Sequence, residues 1–133
     1  MVSPHLEAVR GRAGSRCEYC RIPDEFVPLP FQIDHVIAQQ HGGPSALDNL
    51  SWACLACNNH KEPNLAGVDW QDSEGRIVPL FNPRKESWEE HFERVGARIE
   101  GTTPTGRGTV ACLGMNLPHR VALRGALTAE GVW

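Results

Sequence analysis

The sequence predicts a small α+β protein held together by a metal: a strand, strand, helix core over residues 15–65 and a helix-and-strand extension over residues 66–133. Three observations point there. Two Cys-x-x-Cys pairs, Cys17/Cys20 and Cys54/Cys57, bracket a polar cluster, and four thiols at this spacing make a closed zinc site. Between them, Phe31–Ile37 alternates apolar and polar residues as a strand does. Further on, Trp88, Phe92, Val95 and Ile99 recur at helical spacing. With 133 residues and 41% hydrophobic content, one domain spanning 1–133 is expected.

Each element has a local justification. Leu6–Gly11 is a short helix leading to the turn-prone Cys17-Glu18-Tyr19-Cys20 knuckle. In the strand Phe31–Ile37, Phe31, Ile33 and His35 project to one side, and Gln32, Asp34 and Val36 to the other. His41-Gly42-Gly43-Pro44 turns the chain, and Leu47–Trp52 leads through a turn into a second short strand. Leu55 opens a helix that Pro63 limits. Asp72-Ser73-Glu74-Gly75 is a turn between strands within Gly67–Leu80, the second being Ile77–Leu80. Ser87 caps a helix predicted from Trp88 to Ile99. Gly101–Gly108 reads as a turn-rich link, and Arg120–Leu127 as a final helix.

Charge and cysteine usage narrow the class. The net charge of −3 argues against nucleic-acid binding by bulk electrostatics. Its distribution softens that objection: arginines predominate before the first cysteine pair and after Glu100, and acidic residues in the middle. No apolar run approaches the roughly 18–20 residues needed to cross a bilayer, and the first residues lack a secretory signal pattern. A cytoplasmic protein with no membrane partner is expected. In a reducing compartment, Cys-x-x-Cys pairs hold metal more often than they form disulfides; disulfide scaffolding is the other reading. Cys112, the odd fifth thiol, lies in the apolar Thr109–Leu113 and is expected as a buried small hydrophobe.

The central polar residues suggest a second, open metal site. Zinc held by four thiolates is saturated and cannot activate water. Asp34, with an amide or imidazole from the following helix, offers hard ligands that leave room for water or phosphate. His35 is placed to take a proton from an attacking water. Each residue has a plainer reading: a strand-end carboxylate, a half-buried imidazole, a turn asparagine at Asn49, a turn histidine at His41. His5, His91 and His119 have no metal-like spacing, and Trp52 and Trp70 are expected to pack in the core or at its rim.

Taken in order, Cys17-x-x-Cys20, Ile33-Asp34-His35-Val36-Ile37, Gly42-Gly43, Asp48-Asn49-Leu50 and Cys54-x-x-Cys57-Asn58-x-x-Lys61 resemble the HNH endonucleases, which have a ββα-metal (His-Me finger) fold. The resemblance covers Cys17 to Lys61, about a third of the chain. It implies a DNA phosphodiesterase of little sequence specificity, with structural Zn²⁺ on Cys17, Cys20, Cys54 and Cys57, and catalytic Mg²⁺ or Mn²⁺ on Asp34 and Asn58. His35 would be the general base, and Asn49 the middle residue that holds the loop and orients the histidine. Asn58 stands where the family name has its last His. His60, two residues on, is the alternative ligand, and only one of the pair should face Asp34. Lys61 is a candidate phosphate contact, as are Arg84 and Lys85 in Leu80-Phe81-Asn82-Pro83-Arg84, a segment that also resembles an extension found beside this motif. One active site cuts one strand, so a homodimer is expected only if both strands are cut. The alternative is a non-catalytic zinc module that binds nucleic acid or a protein partner.

Overall fold

A computed structural model of the chain describes residues 3–133. Helix α1 (Leu6–Arg12) buries Val9 in a small cluster with Leu50 and Trp52, separate from the main core. The chain then enters the Cys17–Cys20 knuckle, closed by Arg21 N–H donating to Cys17 O (2.9 Å) and Cys17 N–H to Ile22 O (2.9 Å). Strand β1 (Gln32–His35) pairs antiparallel with β2 (Leu50–Ala53), placing Asp34 opposite Ser51 and His35 opposite Leu50. Helix α2 (Leu55–Lys61) follows β2 at once, because Cys54 caps it: its sulfur accepts from Cys57 N–H at 3.4 Å. Strand, strand and helix thus occur in the expected order, with β1 shorter than the alternation suggested.

The extension differs from expectation in two places. Strands β3 (Ala66–Asp69) and β4 (Arg76–Pro79) form the hairpin foreseen around Asp72–Gly75. The helix expected from Trp88 to Ile99 is a single turn, α3 (Trp88–His91), opened by Ser87 as foreseen, with Glu90 reaching back to the Ser87 N–H (3.3 Å). Beyond it the chain makes a second hairpin, β5 (Phe92–Val95) and β6 (Arg98–Gly101). Gly96 turns it at φ 60°, a left-handed conformation that would break a helix. Phe92 and Ile99 are still buried, as period-2 positions of two strands, whereas Val95 is exposed.

The turn-rich link expected over 101–108 is largely helix: α4 (Pro104–Cys112) begins there. Thr103 caps it by accepting from Gly106 N–H (3.0 Å), with Pro104 at the first position. Its glycines serve close packing, since a Cβ on Gly106 would overlap His91 O and one on Gly108 would run into Val78. Helix α5 (Pro118–Ala129) extends the predicted Arg120–Leu127 at both ends.

One hydrophobic cluster contains Tyr19, Phe81, Trp88, Ile99, Leu113 and Trp133 together with the four paired cysteines, so the core joins the clamp to the extension. Indole N–H groups reinforce that junction: Trp88 donates to Tyr19 O (2.7 Å) and Trp133 to Cys20 O (3.2 Å). Trp52 is buried as expected, but Trp70 is 74% exposed and lies over Gly75, outside the core. Cys112 is half-buried at the end of α4, its thiol pushed up by that burial.

Candidate metal centre and catalytic cleft

The four paired cysteines converge: their sulfurs all lie within 4.8 Å of one another and are buried. All four are free thiols, which sets aside the disulfide reading. Cys20 and Cys54 sulfurs are 3.7 Å apart, and a tetrahedral zinc with Zn–S bonds of about 2.3 Å requires an S···S edge of about 3.8 Å. Burial pushes the Cys17 and Cys57 thiols well up, so a cation is what would let all four ionise together. The donor set fits structural zinc, supplied by the knuckle on one side and by the start of α2 on the other.

A second feature lies between β1 and α2. An open cleft of about 480 Å³ is lined by Ile33, Asp34, His35, Gln39, Asn58 and Asn59, among others. Asp34, His35 and Asn58 therefore share one opening. His60 is outside it, its ring directed toward Gly114; two positions apart on α2, the side chains diverge.

Asp34 is 6% exposed. Its Oδ2 accepts from Tyr19 Oη (2.8 Å) and, at longer range, from Ser51 Oγ (3.4 Å), and it lies 3.1 Å from the Lys61 ammonium as an ion pair. Its Oδ1 has Lys61 alone, at 3.3 Å, leaving a lone pair for a further partner. Asn58 gives its amide N–H to Gln32 Oε1, so its amide oxygen has no partner among the described residues. A carboxylate oxygen and an amide oxygen on one cleft are hard donors suited to Mg²⁺ or Mn²⁺. Outside the thiols, no group of three His, Cys, Asp or Glu ligands occurs among the described residues; an ion at Asp34 and Asn58 would be held by two protein ligands and remain open to water and phosphate.

His35 bonds through Nε2 to Ser45 Oγ (2.9 Å), which leaves Nδ1 without a partner among the described residues. The loop carrying Ser45 is tied down by Asn49, which is buried. Asn49 Oδ1 accepts from Ile37 N–H (2.9 Å), and its Nδ2 donates to Ile37 O (2.9 Å) and Pro44 O (2.9 Å). Gly43 is required beneath this clasp, because a Cβ there would collide with Ile37 O and crowd Asn49 Nδ2.

Lys61 is a correction. Expected to contact phosphate, it is 2% exposed, with its ammonium turned inward onto Asp34, His35 O (3.2 Å) and Val36 O (3.3 Å). Arg84 is also turned inward, paired with Glu18, whose other oxygen accepts from Trp52 N–H (2.8 Å). Lys85 alone of the expected phosphate contacts is exposed. Sequence reasoning missed Tyr19, Ser45 and Ser51. The cross-strand pairing of Ser51 with Asp34 becomes visible only once the β1/β2 register is known, and nothing local marks Tyr19 as reaching over to β1.

Residues 17–64 match the family model described as HNH endonuclease. Neither the curated proteins nor the solved structures contain a match to the chain.

Proposed function

We propose that this chain, whose residues 17–64 form an HNH endonuclease segment, is a metal-dependent nuclease that hydrolyses DNA phosphodiester bonds with little sequence preference. The observation that carries the reading is the meeting of Asp34, His35 and Asn58 in one open cleft. Strand β1, strand β2 and helix α2 then act as the ββα-metal unit, residues 66–133 pack onto it within one domain, and the protein works in the cytoplasm. Asp34 and Asn58 would hold a divalent ion, which when bound would supply positive charge to offset the negative charge developing on the phosphate. His35 is held by Ser45 at Nε2 and accepts a proton at Nδ1 from the water whose oxygen bonds to phosphorus. As the phosphorus–oxygen bond to the leaving sugar breaks, that oxygen takes a proton from solvent. Tyr19 and Lys61 hold the Asp34 carboxylate, and Asn49 holds the loop that orients His35. A single copy nicks one strand; cutting both requires two copies.

One observation favours a second reading. The Lys61 ammonium already sits on Asp34, an arrangement stable without a second ion and suited to a zinc module that binds nucleic acid or a protein partner without cleaving. Plasmid nicking separates the two. Zinc-loaded protein should nick supercoiled DNA when Mg²⁺ or Mn²⁺ is added and not when neither is added, the zinc being left in place, and His35→Ala should reduce the rate by about 10²-fold or more. Undiminished nicking by His35→Ala and Asp34→Ala would overturn the mechanism, and parental protein that binds DNA without any divalent-dependent nicking would establish the module.

A further inference from the structure

Helix α5 carries two arginines that the cleft does not use. Arg120 and Arg124 are 5% and 1% exposed, and one helical turn separates them, so both point into the core from the same face. Neither has a carboxylate partner among the described residues. Arg120 donates through Nη2 to Cys57 Sγ (2.9 Å), with Cys54 Sγ at 3.8 Å, and through Nη1 to Leu113 O (2.6 Å). Arg124 donates to Ala97 O (2.8 Å) and Asn116 Oδ1 (3.1 Å), both neutral. Both arginines line the same apolar cavity of about 140 Å³ as Cys20 and Cys54.

A buried guanidinium without a counter-charge is costly. The negative charge within reach here is on sulfur. One zinc ion with four thiolates bears two net negative charges, and two arginines on the adjoining helix face balance them in a setting where Coulomb attraction is weakly screened. We infer that Arg120 and Arg124 are the charge-balancing outer shell of the zinc site, Arg120 by direct N–H···S bonds and Arg124 through space. Helix α5, outside the HNH-matched segment, is thereby part of the metal centre, and zinc loading and docking of α5 are one event. The hydrogen bonds that Arg120 donates to the thiolates engage their lone pairs and also make the loaded cluster a poorer nucleophile toward external electrophiles.

The test uses the full chain and no cleavage assay, so its outcome is independent of the nuclease reading. Zinc affinity is measured by chelator competition for the parent, Arg120→Met and Arg120→Lys, and the same proteins are loaded with Co²⁺ for absorption spectroscopy. Arg120→Met should weaken zinc about 10–100-fold and move the sulfur-to-cobalt charge-transfer band to lower energy, since the sulfur lone pairs lose a hydrogen bond. Arg120→Lys should recover part of both effects, a rescue that packing alone does not provide. In the unaltered chain, stripping zinc should remove hydrogen-exchange protection from residues 118–129 together with 54–61. If Arg120→Met fails to fold, this last measurement decides. Affinity within about twofold of the parent with an unmoved band, or α5 protection that survives zinc removal, would overturn the inference.

Discussion

Replacing Lys61 by Met removes the one cation that touches Asp34 among the described residues. Both partners are nearly inaccessible, at 2% and 6% exposure, so the remaining carboxylate stays buried and cannot be rehydrated without opening the strand–helix junction. Breaking a buried ion pair from one side costs about 3–5 kcal/mol. Asp34 keeps the Tyr19 and Ser51 hydrogen bonds, which argues for the lower end, and the carbonyls of His35 and Val36 each lose a donor, worth about 1 kcal/mol apiece. A loss of about 5 kcal/mol results, a large share of the roughly 5–15 kcal/mol that stabilises a domain. Asp34→Asn is also destabilising, because it strands the ammonium. The double variant should lose less than the sum, with a coupling of at least about 2 kcal/mol. Urea unfolding of the zinc-loaded proteins at neutral pH, read at a common m-value, gives all four corners of the cycle. A cost below about 1 kcal/mol for Lys61→Met, or additivity within about 0.5 kcal/mol, would mean that the inward Lys61 is not a structural partner of Asp34.

Two further outcomes follow from the same kind of reasoning. Asn49→Ala deletes three side-chain hydrogen bonds to the loop and should cost about 2–3 kcal/mol, with cleavage falling more than DNA binding because His35 loses its orientation; unchanged thermal stability would contradict the clasp. Arg107 holds the Asp69 carboxyl below the usual carboxylate range through paired hydrogen bonds of 3.0 and 2.9 Å. A carboxyl depressed in the folded state stabilises fully above its unfolded value of about 3.9 and loses that contribution as pH falls through the lower folded value. The stability gap between parent and Arg107→Met should therefore be constant near neutrality and close below about pH 4, as urea midpoints across pH will record; a gap that widens on acidification would refute it.

What could be read in advance was whatever depended on near neighbours in sequence. The zinc cysteines, the strand carrying Asp34 and His35, and the start of α2 after Cys54 are set by short-range spacing, and the structure has them where the spacing put them. The helix expected over 88–99 misread a pattern open to two solutions: Phe92 and Ile99 are seven residues apart, which suits two turns of helix and equally the inward positions of a hairpin. Gly96 in the middle was the discriminating residue. In α4 the error ran the other way, since Gly106 and Gly108 mark close approach to His91 and Val78 and not a loop. Lys61, Arg84 and Arg120 carry the signature of solvated charges in any local window. Their inward course depends on Asp34, Glu18 and the thiolates, which other segments deliver.

Tyr19 lies inside the first Cys-x-x-Cys pair, and its hydroxyl ends on Asp34. The knuckle and the cleft consequently share a component, and the usual logic of separate controls fails for this protein. A zinc-free preparation would release Tyr19 and disturb Asp34, and would be inactive whether or not Asp34 ever binds an ion. Loss of activity on chelation is therefore ambiguous by construction of the fold. Readouts confined to the cleft, such as exchange of Mg²⁺ for Mn²⁺ at constant zinc or the Tyr19→Phe variant with its knuckle intact, are the ones able to assign a role to Asp34.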